Sequence, residues 1–294
     1  MNRTNALLLL LLSAIWGASF LFMRVASPEF GPVTLIFLRM AIAVIVVSPL
    51  LLKKTFRLRI LGSLVPLSVL GCLNHVLPFT LLAFATLRLE AGFTSLINAT
   101  TPIFTAIVGA AWFSTPITRQ QKFGLALAFS GVFILSADKL TFHSGGTGWA
   151  IMAGLLATFC YGISVNFSKR YLSHLNAREI TVGSMGASAT LLLIPGILFW
   201  PDINPSAQAW GSTLLLAVVC TALAFLLFFK VLATSGAMAS STVTFLVPLF
   251  AISWGILLLG EEISAQLIIG MVVTLLGTAI TVQLIKPALK PTPE

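Results

Sequence analysis

Long apolar runs separated by short polar or basic stretches organise this chain. A transmembrane helix needs about 20 mainly apolar residues. Ten runs approach that length, at about 6–25, 32–52, 61–84, 91–113, 121–138, 148–169, 178–200, 209–231, 238–259 and 266–285. The interruptions at 28–32, 53–59, 119–122, 143–148 and 201–205 hold helix breakers or charge, and Pro287, Pro291 and Pro293 end the tail. The pattern predicts an all-α integral membrane protein of ten helices. The first run exceeds a signal-peptide core of about 7–15 residues and is expected to stay in the mature protein.

The second half falls on the first when shifted by 146 residues: Ala91 meets Ala237, Pro102 meets Pro248, Gly124 meets Gly270 and Gly131 meets Gly277. Near the start the shift is 145, which sets Trp16-Gly17 on Tyr161-Gly162, Ser19 on Ser164 and Phe22 on Phe167. The reading is two five-helix repeats, residues 1–143 and 144–294. Halves with an odd number of spans sit upside down relative to each other. That inversion suits alternating access around a site near mid-membrane.

Composition agrees: 58% of residues are hydrophobic and 9% charged, and mean hydropathy is +1.04. A soluble domain carries roughly 25% charged residues. The net charge of +9 does not form a nucleic-acid face, because the 17 basic residues lie between apolar runs. With the N-terminus inside, thirteen fall inside and only Arg24, Arg88 and Lys139 outside, Arg39 being within span two. This bias predicts cytoplasmic termini and a multi-pass protein of the cell inner (plasma) membrane. Trp149, Trp200 and Trp210 then stand at outer span ends as anchors. Cys72, Cys160 and Cys220 lie in apolar runs without metal-ligand spacing. No metal, cofactor or nucleotide-binding loop is expected. The expected partners are a small-molecule substrate and membrane lipid, with the chain a monomer or homodimer.

Three stretches carry a family resemblance: Ala14-Ile15-Trp16-Gly17-Ala18-Ser19-Phe20, the run from Ala91 through Pro102 repeated as Ala237 through Pro248, and Leu259-Gly260-Glu261-Glu262 followed by Gly270 and Gly277. The chain resembles the drug/metabolite transporter (DMT) superfamily, specifically its ten-helix EamA-type members, over nearly its whole length. The resemblance implies export of amino acids, drugs, sugars or other metabolites. The first half departs from it, with Ser114-Thr115-Pro116 where the second has Gly260-Glu261-Glu262.

Polar groups in hydrocarbon are costly unless they face a cavity or a partner. All eight acidic residues fall at span ends or in loops, which argues against small cationic drugs and carboxylate-based proton coupling. Asn74 and His75 lie well inside span three as candidate substrate-binding residues, His75 binding substrate or carrying a proton, or else being satisfied by a neighbouring helix. Pro78 follows one turn later and frees a carbonyl. Arg39 either meets a substrate carboxylate or plays a structural part, snorkelling outward or pairing with Glu29 or Glu90. Asn98, Thr100 and Thr101 precede Pro102, and Thr244 precedes Pro248; helices kinked at repeat-related positions point to the transport site. Ser240-Ser241-Thr242 reads as close packing. Trp16 and its repeat partner Tyr161 stack on substrate, close a gate or pack, with Asn166 five residues on supporting a cavity. Gly124/Gly131 and Gly270/Gly277 mark packing faces, for a scaffold or a dimer contact. Glu261 and Glu262 read as a solvated turn capping span ten, or as a gate or ion-pair element.

The function these residues favour is a secondary transporter, an exporter of small metabolites with amino acids first; a drug, sugar or nucleoside carrier is the alternative. An intramembrane enzyme lacks its machinery, because His75 has no acid near it in sequence and His143 and His174 lie in loops. A receptor or assembly factor would leave the inverted repeat without a purpose.

Overall fold

The computed structural model describes residues 3–114, 116–143 and 145–285, and within them every side chain except that of Arg3 and those of residues 235–241. Lys286, Lys290, Glu294 and the three tail prolines lie outside the described residues, as do Thr115 and the side chains of Ala237, Ser240 and Ser241. The described residues are mainly helical, with no strand among them. The spans are Arg3–Phe30, Pro32–Leu52, Leu64–Thr86, Ala91–Phe113, Arg119–Ser136, Gly148–Tyr171, Ala177–Leu198, Ala207–Thr234, Val243–Leu259 and Ala265–Thr281, called one to ten below. Seven are long and apolar enough to cross a membrane, and the last two are apolar but shorter.

Two boundaries differ from the sequence reading. The stretch at 53–59 is not a loop but part of a short helix, Lys54–Leu61. Span eight continues as helix to Ser241, where a break was expected near residue 232. Residues 232–241 hold no proline and one glycine, so nothing stops the helix until the turn at Thr242.

Contacts between spans come in repeat-related pairs. Span one packs on nine as six packs on four; span three packs on six as eight packs on one; two meets seven, and five meets ten. The crossings of one with nine, four with six, two with seven and five with ten rest on glycines. A methyl group at Gly17 would lie 2.8 Å from Phe250 Cβ, and one at Gly162 would lie 2.7 Å from the Phe104 carbonyl carbon. Between spans five and ten, a methyl at Gly124 would lie 2.7 Å from Thr281 N and one at Gly270 2.9 Å from Leu135 Cβ. Backbones at that distance exchange dispersion contacts along their length. The glycine faces are therefore spent on each other within one chain.

The ladders bulge at matched places. Spans three and eight each contain one π turn, Cys72–Val76 and Val218–Leu223, whose starts are 146 residues apart. A π turn adds a residue to the helical ring and swings the following side chains to a new face. These two insertions set Asn74, His75 and Thr221 toward the middle of the molecule.

Loop contacts separate two end faces. At the basic end, Arg59 donates to the His174 carbonyl and pairs with Glu179, and Lys169 lies 5.2 Å from the Phe113 ring centre. At the far end, Glu29 accepts from Ser206 N and Oγ at 2.5 and 2.8 Å, Arg24 donates to the Thr86 carbonyl at 2.6 Å, and Lys139 pairs with Glu90 at 3.9 Å. Span one thus runs from the basic end to the far end and span six runs back. The halves are antiparallel, as the odd span count requires. Trp149 and Trp200 are exposed at the far end, while Trp210 packs edge-on against Phe30.

Candidate functional site

A cavity of about 430 Å³ lies where the halves meet, walled by spans one, two, three, four, six, eight and nine. Its wall contains Trp16, Arg39, Asn74, Asn98, Tyr161 and Thr244, brought together from six spans. Phe20, Phe79, Phe225 and Phe228 complete an aromatic enclosure. Met23, Leu82 and Ser95, toward the far end, are fully buried, whereas Val165, nearer the basic end, is half exposed.

Arg39 neither snorkels nor pairs with Glu29 or Glu90, which are engaged with Ser206 and Lys139. It is 4% exposed. Its Nε donates to Thr221 Oγ1 at 2.8 Å, one terminal nitrogen lies 3.9 Å from Met23 Sδ, and the guanidinium sits 3.8 Å from the Phe79 ring centre. Thr221 is oriented in turn by donating to the Leu216 carbonyl five residues back, which the π turn permits.

His75 does not reach the cavity. It is 1% exposed and lies behind the wall, against the Phe79 and Phe225 rings. The Asn74 amide nitrogen lies 3.2 Å from His75 Nε2, and Ser164 Oγ lies 2.9 Å from both Asn74 Oδ1 and the Tyr161 carbonyl. His75 Nδ1 lies 3.2 Å from Ser188 Oγ, which donates to the Ser184 carbonyl at 2.7 Å. These contacts tie spans three, six and seven behind the cavity wall and set His75 against Phe79, beneath Arg39.

The kink in span four is built as its residue types suggest. Helix Ala91–Asn98 gives way to Thr101–Phe113 through one turn. Pro102 has no N–H for the Asn98 carbonyl, and the Thr101 hydroxyl donates to it at 2.8 Å. Thr100 donates to the Ile97 carbonyl at 2.7 Å. Asn98 Oδ1 is left buried without a hydrogen-bond partner at the cavity wall. Span nine is less broken: Pro248 lies inside a continuous helix, Val243–Leu259. Pro78 is buried just after the π turn of span three. Asn166 donates to the Thr105 and Gly162 carbonyls at 3.0 and 2.8 Å and faces a separate cleft of about 200 Å³ near the basic end.

Glu261 does not cap span ten; Ser264 does, accepting from Leu267 N. Glu261 instead reaches span four, accepting from Ala91 N at 2.8 Å and Gly92 N at 3.4 Å. Its carboxylate occupies the space a side chain at residue 255 would need, and that residue is glycine. A carboxylate on a helix N-terminus is favoured by the unpaired N–H groups and the helix dipole. The repeat counterpart of Gly255 is Gly109, which lines a cleft of about 200 Å³ at the basic end with Phe113 and Asn166; the counterpart of Glu261, Thr115, lies outside the described residues. Sequence reasoning missed Phe79, Phe225, Phe228 and Thr221, which carry no signal apart from hydrophobic helix composition.

A helical membrane protein with a closed-ended cavity between two antiparallel halves has the architecture of a carrier. The comparisons agree. The EamA-like transporter family matches residues 4–137 and again 148–283, and the chain belongs to that family. An uncharacterized transporter of Archaeoglobus fulgidus is 26% identical over 290 residues, covering 96% of this chain and 98% of its own. A probable amino-acid metabolite efflux pump of Escherichia coli is 26% identical over 298 residues, covering 96% of each chain. A solved protein structure at 16% identity shares the fold, with a TM-score of 0.67 over 97% of this chain and 99% of its own. Transporter, multi-pass membrane protein and EamA-like family are therefore established for the chain.

Proposed function

We propose that this protein exports small metabolites, amino acids first among them, by alternating access of one cavity between the inverted halves, 1–143 and 144–294. The observation that carries the reading is the cavity itself. It lies between the repeat-related halves, and residues of both line it, Trp16 beside its repeat partner Tyr161. The efflux-pump relative supports amino acids as cargo. In this reading both termini are cytoplasmic in the inner membrane, the basic end faces the cytoplasm, and the half-exposed Val165 marks the side from which cargo enters. Trp16, Arg39, Asn74, Asn98, Tyr161 and Thr244 contact the cargo, and His75 holds the wall.

Purified protein reconstituted in liposomes, loaded with an unlabelled amino-acid pool and given the labelled pool outside, tests this. Saturable counterflow that Asn98→Ala reduces is the expected result. Absence of amino-acid flux from folded protein would reject the cargo and direct the search to sugars, nucleosides and drugs.

A further inference from the structure

Arg39 presents a problem in electrostatics. Its guanidinium is buried, and buried charges are ordinarily paired with an opposite charge. Its neighbours are a hydroxyl, a thioether and an aromatic face, all neutral. Five acidic side chains are committed elsewhere, Glu29 to Ser206, Glu90 to Lys139, Glu179 to Arg59, Asp138 to Gln266 and Glu261 to span four, and Asp202 and Glu262 are exposed in loops. Among the described residues no aspartate or glutamate lines the cavity. The guanidinium uses Nε on Thr221 and sits 3.8 Å over the Phe79 ring centre, which holds it in place while leaving terminal N–H donors for an oxygen pair at the wall. A planar fork held this way matches a carboxylate in two-point contact.

The remaining wall gives the other half of the recognition. Six aromatic side chains enclose an apolar body. The unpartnered Asn98 Oδ1 accepts a single N–H or O–H donor and supplies no charge to hold an ammonium. A cavity of about 430 Å³ has room for one small amphipathic molecule.

Resting on the transport reading, we infer that Arg39 receives the carboxylate of the cargo, and that the cavity recognises an apolar or aromatic monocarboxylate by this group, the amino group being dispensable. Thr221 and Phe79 are positioning residues for that contact. A plain aryl carboxylate is then cargo alongside the corresponding amino acid, and an aryl amine is excluded.

Isothermal titration on the full chain in lipid nanodiscs tests the inference with three probes of similar body: 3-phenylpropionate, L-phenylalanine and 2-phenylethylamine. In the native protein the first two bind with affinities within tenfold of each other, and the amine binds at least tenfold more weakly than either. Arg39→Gln brings the three within about twofold, and Arg39→Lys keeps their order. The native-chain comparison stands whether or not the variants fold. Equal binding of the amine, a requirement for the amino group, retention of the gap in folded Arg39→Gln, or no binding of any probe would each overturn the inference. Binding with the stated order but no flux in liposomes would reject the transport reading and leave the carboxylate site. Flux without charge preference would do the reverse.

Discussion

At the scale of single residues the cavity separates groups that hold the protein from groups that wait for a ligand. Asn98 belongs to the second kind. A buried acceptor without a partner costs about 1–3 kcal/mol, and no protein group satisfies Asn98 Oδ1. Asn98→Ala is accordingly expected to leave the thermal midpoint unchanged or higher while lowering cargo affinity about tenfold, the equivalent of roughly 1.4 kcal/mol; a fall in midpoint with affinity intact would assign Asn98 to the fold. His75 is the opposite case. His75→Ala strands Ser188 and Asn74 and opens space beneath Phe79, at a cost of about 2–4 kcal/mol. A lower midpoint is expected, with cargo counterflow retained in protein that folds. The sequence distinguished Arg39, Asn98 and Trp16 because polar and aromatic groups in hydrocarbon need a reason. It did not separate Asn74 from His75. Adjacent residues on a regular helix point about 100° apart, and the π turn that sends one to the cavity and the other behind it leaves no mark in composition.

At the scale of elements, ten spans and their repeat relation were legible because hydrophobic length and an internal repeat report on the whole chain at once. The glycines of spans five and ten were legible as packing faces. Gly131→Leu would push a branched side chain into the Thr274 backbone, and Gly277 faces Ala128 in the same way. Overpacking of this kind costs about 1–3 kcal/mol, so a lower unfolding midpoint is expected, with cargo affinity retained in protein that folds. What the sequence hid was contact between distant loops. Glu261 reads locally as the start of span ten, yet its acceptors are used 170 residues away. Its carboxylate bridges spans nine and four at the far end, where the cavity is sealed. Glu261→Gln keeps one acceptor and loses the charge, weakening the cap by up to about 2 kcal/mol. A Ser95→Cys probe in a cysteine-free background is expected to react severalfold faster with an impermeant maleimide from the far side once Glu261→Gln is added. Equal labelling with and without Glu261→Gln would make the cap a local ornament of span four.

At the scale of the whole molecule, the two halves differ where their symmetry would have them match, and the difference bears on turnover. The far end is closed by Glu261, Arg24 and the Lys139–Glu90 pair, while at the basic end Val165 of the cavity wall is half exposed. Alternating access requires the pattern to reverse through a state closed at both ends. In that state the cavity excludes water, and an empty cavity leaves the Arg39 guanidinium facing Thr221, Met23 and Phe79 alone. A bound carboxylate neutralises the charge, so the loaded carrier closes more easily than the empty one. A difference of only about 1.4 kcal/mol between the two closed states slows empty return tenfold. Exchange should therefore outrun net export. Liposomes loaded with labelled cargo are expected to lose it at least tenfold faster into buffer containing unlabelled cargo than into buffer without it. Arg39→Gln, which removes the charge, should bring that ratio toward one even where its absolute rate is low. Equal rates of exchange and net efflux in the native protein would mean that the empty cavity closes freely, with the guanidinium solvated or paired throughout the cycle.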